Sequence, residues 1–264
     1  MSDTVLITQD NRGVATLTLN RPDVYNAFDD TTVAILNREL ERLGQDPEVR
    51  IVVLAAAGKA FSAGGDLNWM KRMVNYDHDE NMRDASQLAN LMYRLNFLAK
   101  PTIARVQGAA FGGAVGLVSC CDFALGSEHA SFSLSEVKIG LAPATIAPYV
   151  VAAIGQRAAR RYSLSGERFD AATALRMGLL HQVVAAAELD AALENLIDSL
   201  LANSPQGMRV AKQLIFEVSD QPIDQALTHK TVQAIAELRA SGEGQEGLAA
   251  FLEKRPPNWN KHKK

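Results

Sequence analysis

The sequence predicts an α/β protein, with strands and helices alternating through the first half and helices filling the second. Three observations carry this. Two short apolar runs rich in β-branched residues, Ile51 to Ala55 and Thr102 to Val106, read as buried strands. Each leads into a glycine-bearing turn, one ending at Asp66 and one at Gly113, and then into a stretch of helical length. From Tyr149 onward the apolar residues recur mostly at helical spacing.

Val5 to Thr8 and Val14 to Leu19 flank Asp10-Asn-Arg-Gly13 and form a hairpin signal. Asn20-Arg-Pro-Asp23 ends the second strand. Asp29-Asp30-Thr31 starts a helix whose apolar face is Val33, Leu36, Leu40 and Leu43. After the strand Ile51 to Ala55 and the turn Gly58 to Asp66, Leu67 to Val74 reads as helical. His78 to Arg83 is polar and reads as a mobile surface segment. A helical period resumes from Ala85 to Leu98 and stops at Lys100-Pro101.

Strand Thr102 to Val106 follows, then the turn bearing Gly108, Gly112 and Gly113, and a buried helix from Ala114 to Cys121. Phe123 to Leu125 and Ser131 to Leu134 are short strands. The remaining segments are helical: Tyr149–Ile154, Gln156–Ser163, Asp170–Met177, Leu189–Ala202, Pro205–Val218, Ile223–Ser241 and Gly244–Glu253. A soft boundary at Asn203-Ser204-Pro205 divides residues 1–203 from 204–264.

The 264 residues suit one large domain, or one domain with an appendage. A formal charge of −3 argues against a nucleic-acid groove or an anionic membrane as the main partner. No apolar run reaches membrane-span length, because Leu141 to Gly155 is interrupted by Pro143 and Pro148. Cys120 and Cys121 are adjacent, which offers neither a disulfide framework nor a metal spacing. The five histidines, His78, His129, His181, His229 and His262, also lack ligand spacing, so no metal is expected. A soluble, cytoplasmic protein is the expectation. The basic end, Lys254-Arg255 and Lys261 to Lys264, reads as a solvated tail.

Two turns could carry chemistry, Ser62-Ala-Gly-Gly-Asp66 and Phe111-Gly-Gly-Ala114. Each follows a strand and opens a helix, where first-turn N–H groups lack intrahelical partners. If the turns are neighbours, two backbone amides can hold one developing oxyanion, each contributing about 3 kcal/mol. The plain alternative is close packing that needs small residues. The glycine patterns of dinucleotide and P-loop sites and the serine-nucleophile elbow are absent. Glu136 lies among apolar and small residues, where partial burial would raise its pKa toward that of a general acid/base. Its alternative role is a first-turn acid after Ser135. Trp69, Met70, Met73, Met82, Leu88 and Met92 read as core or helix packing, with a flexible apolar pocket wall as the other use.

In order and spacing, several stretches together are specific: Asn20-Arg-Pro-Asp-Val-Tyr-Asn-Ala27, Phe61-Ser-Ala-Gly-Gly-Asp-Leu67, Pro101-Thr-Ile-Ala104, Val106-Gln-Gly-Ala-Ala-Phe-Gly-Gly113, Cys121-Asp122, Glu136 and Phe251-Leu-Glu-Lys-Arg-Pro-Pro257. Over nearly its whole length the chain resembles the crotonase superfamily of enoyl-CoA hydratases and isomerases. The resemblance implies a spiral of ββα units in residues 1–203 and a helical trimerisation region in 204–264, giving a homotrimer or, as trimers of this family often pair, a hexamer. It implies that the amides of Gly65 and Gly113 bind the thioester oxygen. It further implies that backbone around Ala27, Ala63, Asp66, Leu67 and Asn68 contacts coenzyme A, and that Lys254 of a neighbouring subunit reaches its phosphates. No cofactor is implied beyond the coenzyme A of the substrate.

Hydratases of this family commonly carry a second glutamate, which would fall at position 116; here it is Gly116. Hydration needs a proton delivered to Cα and another taken from water, whereas isomerisation needs one base, so Gly116 tilts toward an isomerase. Gly112 to Asp122 and Leu134 to Ala144, however, resemble the bacterial branch that hydrates branched, carboxylated enoyl-CoAs such as methylglutaconyl-CoA, in leucine or terpenoid catabolism. Ala142-Pro-Ala-Thr-Ile146 replaces that family's usual glycine-rich loop and is expected to shape the acyl pocket. Lys71, Arg72 and Arg94 are the candidate cations for a substrate carboxylate. The expected activity is a hydro-lyase with Glu136 as acid/base. The alternatives are an enoyl-CoA isomerase or a non-catalytic member that binds coenzyme A or RNA.

Overall fold

The computed structural model describes residues 4–260. The basic run Lys261 to Lys264, with His262, lies outside the described residues. In chain order the elements are β1 (Val5–Gln9), β2 (Val14–Leu19), α1 (Asp30–Gln45), β3 (Ile51–Ala56), α2 (Leu67–Met73), α3 (His78–Asn96), β4 (Thr102–Val106), β5 (Ala109–Phe111), α4 (Gly113–Ser119), β6 (Phe123–Ser127), β7 (Ser131–Ser133), α5 (Ala147–Ser165), β8 (Arg168–Asp170), α6 (Ala171–Met177), β9 (Gln182–Val184), α7 (Leu189–Leu201), α8 (Pro205–Val218), α9 (Gln225–Ala240) and α10 (Gly242–Leu252).

The main sheet has six strands in the order β1-β2-β3-β4-β6-β9. The hairpin β1–β2 is antiparallel, and every later pairing in this sheet is parallel. Strand β3 shows why its sequence is apolar without alternation. Val52, Leu54 and Ala56 join the larger core, while Ile51, Val53 and Ala55 join a second core with Leu189, Ile197, Leu200 and Leu201 of α7. A strand covered on both faces needs apolar residues at every position. On the first face α1 contributes the predicted stripe Val33, Leu36, Leu40 and Leu43, started by the Asp29 carboxylate capping the Thr32 amide.

A second, three-stranded sheet runs β5-β7-β8. None of β5, β8 and β9 is among the predicted elements. Each is three residues long, too short for a period of two to stand out. The second half is therefore not purely helical. Residues 109–111, predicted as part of a turn, pair with β7 as a strand.

His78 to Arg83 is also corrected. It is not a loose surface segment but the start of α3, locked by a capping box in which the Asp77 carboxylate accepts the Glu80 amide and the Glu80 side chain accepts the Asp77 amide. The residues are polar because this end of α3 faces solvent. The two helices predicted around Gly155 form α5 with a break there, at φ 74° and ψ 154°. Among the described residues no helix is long and apolar enough to cross a membrane.

The C-terminal helices are tied to the sheet by polar groups. The Asp122 carboxylate accepts the Thr102 amide at 2.8 Å, the Thr102 hydroxyl at 2.9 Å and the Lys212 ammonium of α8 at 2.8 Å. Thr102 is fully buried. Asp122→Ala leaves three donors without their acceptor, so unfolding by urea should show a loss of about 3 kcal/mol. A loss below about 0.5 kcal/mol would show that solvent satisfies these donors.

Candidate active site

The site begins with a clamp between residues 21–29 and 57–66. Asn26 is buried with a left-handed backbone, φ 54°. Its side-chain oxygen accepts the Arg21 amide at 2.8 Å, and its NH2 group donates to the carbonyls of Ala57 and Ala60 at 2.7 and 2.9 Å. The Arg21 guanidinium donates to the Ala27 carbonyl at 2.7 Å and to the Asp66 carboxylate at 2.8 Å. Three backbone bonds follow between the clamped strands: Ala63 N–H to Tyr25 O, Phe28 N–H to Gly64 O and Asp66 N–H to Phe28 O. Phe28 and Gly65 thus form a parallel bridge that uses the Gly64 carbonyl and the Asp66 amide, on either side of Gly65's own N–H. The Gly65 N–H has no acceptor among the described residues.

The second turn lies beside the first. Phe61 and Ser62 donate to the Ala109 carbonyl, and Phe111 donates to the Ser62 carbonyl. A Cβ built on Gly64 would stand 2.9 Å from the Phe111 oxygen and 4.0 Å from the Gly112 Cα. Gly112, at φ 56° and ψ −127°, holds a conformation that L side chains rarely adopt. Its amide is spent on the Ser133 carbonyl at 2.8 Å. Gly113 opens α4, and its N–H is also without an acceptor among the described residues. The ring of Phe28 reaches it: a Cβ on Gly113 would be 2.7 Å from Phe28 Cζ. Phe28 thus touches both turns, its backbone at Gly65 and its ring at Gly113.

Glu136 enters from the end of the second sheet. β7 bonds to Gly112 through Ser133, and three residues later Glu136 begins a single 3₁₀ turn, Glu136–Ile139. Its Oε1 would be 3.2 Å from a Cβ on Gly112. Its Oε2 is buried with no hydrogen-bond partner. Burial pushes the Glu136 pKa above the ordinary carboxyl value. Two amides without acceptors thus lie on adjoining turns, and a half-buried carboxyl group stands against one of those turns. Such a set can stabilise an enolate oxygen and move protons at the carbon beside it.

The other predicted site residues divide. Ala27 is buried, while Ala63, Leu67 and Asn68 are exposed beside the turn. The Asp66 side chain is occupied: it accepts the Asn68 and Trp69 amides at 2.7 and 3.4 Å and pairs with Arg21. Burial works to raise its pKa, and these donors outweigh that and hold it low. Lys254 is exposed just after α10 and makes no hydrogen bond or ion pair with Gly65, Gly113 or Glu136. Of the candidate cations, Arg72 pairs with Asp30 at 2.5 Å and Arg94 with Glu41 at 3.1 Å, both on α1. Lys71 is exposed.

Trp69 and Met92 are core residues, whereas Met82 is on the surface. Cys120 and Cys121 are buried, and burial pushes the Cys121 thiol up to about 12, so neither serves as a thiolate nucleophile. No cluster of three or more metal-ligating side chains occurs among the described residues. Sequence reasoning missed Arg21, Asn26 and Phe28 as the parts that set the turns. The Asn-Arg-Pro-Asp stretch marked their neighbourhood, but which groups they bind is visible only in three dimensions.

The desolvated carboxyl group has a thermodynamic signature. Below the unfolded carboxyl pKa, Glu136 is neutral in both states and costs nothing. As pH rises toward the higher folded value, the unfolded state ionises first, and stability is lost. Glu136→Gln should therefore raise the melting temperature at pH 7 and leave it unchanged near pH 4. Equal melting temperatures at pH 7 would mean that the carboxyl group is solvated.

The chain is similar to known proteins over nearly its whole length. The profile of the enoyl-CoA hydratase/isomerase family matches residues 9–262. The crystal structure of an enoyl-CoA hydratase from Shewanella pealeana has 49% identity and a TM-score of 0.94, covering 97% of this chain and 96% of that one. A mevalonyl-coenzyme A hydratase of Aspergillus fumigatus is 33% identical over 94% of this chain and 91% of its own length. A trans-2-decenoyl-[acyl-carrier-protein] isomerase of Streptococcus mutans is 30% identical over 97% of both chains. The fold is the crotonase fold with a helical C-terminal region, and the chain belongs to the enoyl-CoA hydratase/isomerase family.

Proposed function

We propose that the protein is a hydro-lyase that adds water across the double bond of a branched 2-enoyl-CoA, carboxylated as in methylglutaconyl-CoA or not. The observation that carries this reading is the Glu136 carboxyl group, one oxygen buried without a partner and the other against the Gly112–Gly113 turn, where the Gly113 amide, like that of Gly65 on the adjoining turn, has no acceptor. The thioester oxygen accepts from both amides. Ionised Glu136 takes a proton from water as the hydroxide oxygen bonds to Cβ, and the electron pair of the double bond moves to the thioester as an enolate. Glu136 then delivers that proton to Cα, and the enolate charge collapses. A carboxyl group with a raised pKa suits both halves of this exchange. Relatives named as a mevalonyl-coenzyme A hydratase and an enoyl-CoA hydratase support the reaction class.

A second reading is favoured by the single carboxyl group: with Gly at 116, Glu136 alone could move a proton from Cα to Cγ of a 3-enoyl thioester, as in an isomerase. In either reading residues 204–264 form the trimerisation region of a homotrimer or of a hexamer built from two trimers, and residues 1–203 hold the acyl-CoA. The exposed apolar side chains of Ile215, Val232, Ile235, Phe251 and Leu252 support an assembly through these helices. The substrate is the only partner proposed beyond other copies of the chain, in the cytoplasm.

Incubation with matched 2-enoyl- and 3-enoyl-CoA thioesters, across short, branched and carboxylated chains, separates the readings. A hydratase bleaches the conjugated thioester absorbance and yields a 3-hydroxyacyl product; an isomerase creates that absorbance from the 3-enoyl compound. Glu136→Gln should reduce kcat at least about a hundredfold with an unchanged oligomer by light scattering. Undiminished turnover in that variant would remove Glu136 from the mechanism.

A further inference from the structure

The face of α4 that begins at Gly112 continues one turn later at Gly116 and again at Cys120, the i, i+4 spacing of one helix stripe. Glu136 covers the first position. Ile146 covers the second: a Cβ on Gly116 would stand 2.2 Å from Ile146 Cγ2 and 2.6 Å from Ile146 Cβ, with Met92 Sδ at 3.3 Å. The third position meets Met92 again, through the Cys120 thiol at 3.8 Å. Ile146 and Met92 are 1% and 0% exposed.

The conflict at Gly116 is with a part of Ile146 that cannot turn away. Rotation about χ1 moves Cγ2 but leaves Cβ in place, so even alanine at 116 requires a backbone shift. Gly116 itself has no positive φ, and its place inside α4 would otherwise favour alanine. Helical side chains lean toward the helix N-terminus, so a longer group at 116 would point at the Gly112–Gly113 turn, beside Glu136. That is where a second carboxyl group would share the two proton movements of hydration.

We propose that Ile146 keeps this a one-carboxylate site: by filling the volume over Gly116 it leaves no room there for a second acid/base or the water it would hold. Glu136 is left to make both proton transfers. The inference rests on the hydratase reading for its chemical half and on packing alone for its structural half.

Two measurements test it. In the parent, Gly116→Ala should lower Tm by about 5 °C or more, against its helix propensity. In the Ile146→Gly background the same change should raise Tm, because the obstruction is gone. A neutral or stabilising Gly116→Ala in the parent overturns the proposal. The second measurement is the pH profile of kcat/KM on a 2-enoyl-CoA. Ile146→Gly should show the same single ionisation as the parent, and Gly116→Glu/Ile146→Gly should show a second. If that variant does not fold, Gly116→Asp/Ile146→Gly takes its place. An unchanged profile in the folded double variant overturns the proposal. Absence of turnover by the parent on every 2-enoyl-CoA defeats the hydratase reading and the chemical half with it, while the melting cycle still decides the packing half.

Discussion

The site depends on the pairing of Phe28 with the Gly64–Asp66 turn. Phe28 donates to Gly64 and accepts from Asp66, so the bridge consumes the main-chain groups on both sides of Gly65 and leaves its N–H aimed elsewhere. The same residue sends its ring against Gly113, where no Cβ would fit. One residue thereby sets the spacing of two turns that are almost fifty positions apart in the chain. Arg21 and Asn26 tie the segment that carries Phe28 to the facing one through bonds to the Ala27, Ala57 and Ala60 carbonyls and to Asp66.

Glu136 shows the cost of that preparation. A buried carboxyl oxygen without a hydrogen bond is unfavourable, and native proteins keep few such atoms. Here the unpartnered atom is Oε2, while Oε1 of the same carboxyl group stands against the Gly112 turn. The core around it is continuous and closely packed, with Val115, Leu117 and Phe132 fully buried nearby in the chain. The second sheet has little area of its own, and its main consequence is placement: β5 lies against Ser62, and β7 fixes Gly112 and leads to Glu136.

Much of the fold was legible in the sequence where a pattern had room to repeat. The stripe of α1, the hairpin β1–β2 and the strands β3 and β4 follow from periodicity, caps and turn residues. The three-residue strands β5, β8 and β9 were not legible, because pairing with a partner far along the chain, rather than local preference, makes them strands. The start of α3 was misjudged on polarity; its capping box outweighs the lack of an apolar face.

By itself the sequence determined that two glycine turns each follow a strand and open a helix, that Glu136 sits in an apolar setting, and that position 116 carries no side chain. Those are local properties, written in residue type and spacing. Only the tertiary structure decided that the turns touch, that the two amides are unspent, that one Glu136 oxygen is without a partner, and that Ile146 occupies the room over Gly116. Each of these depends on contacts between segments distant in the chain, and such contacts are set by the packing of the whole core rather than by any stretch of it.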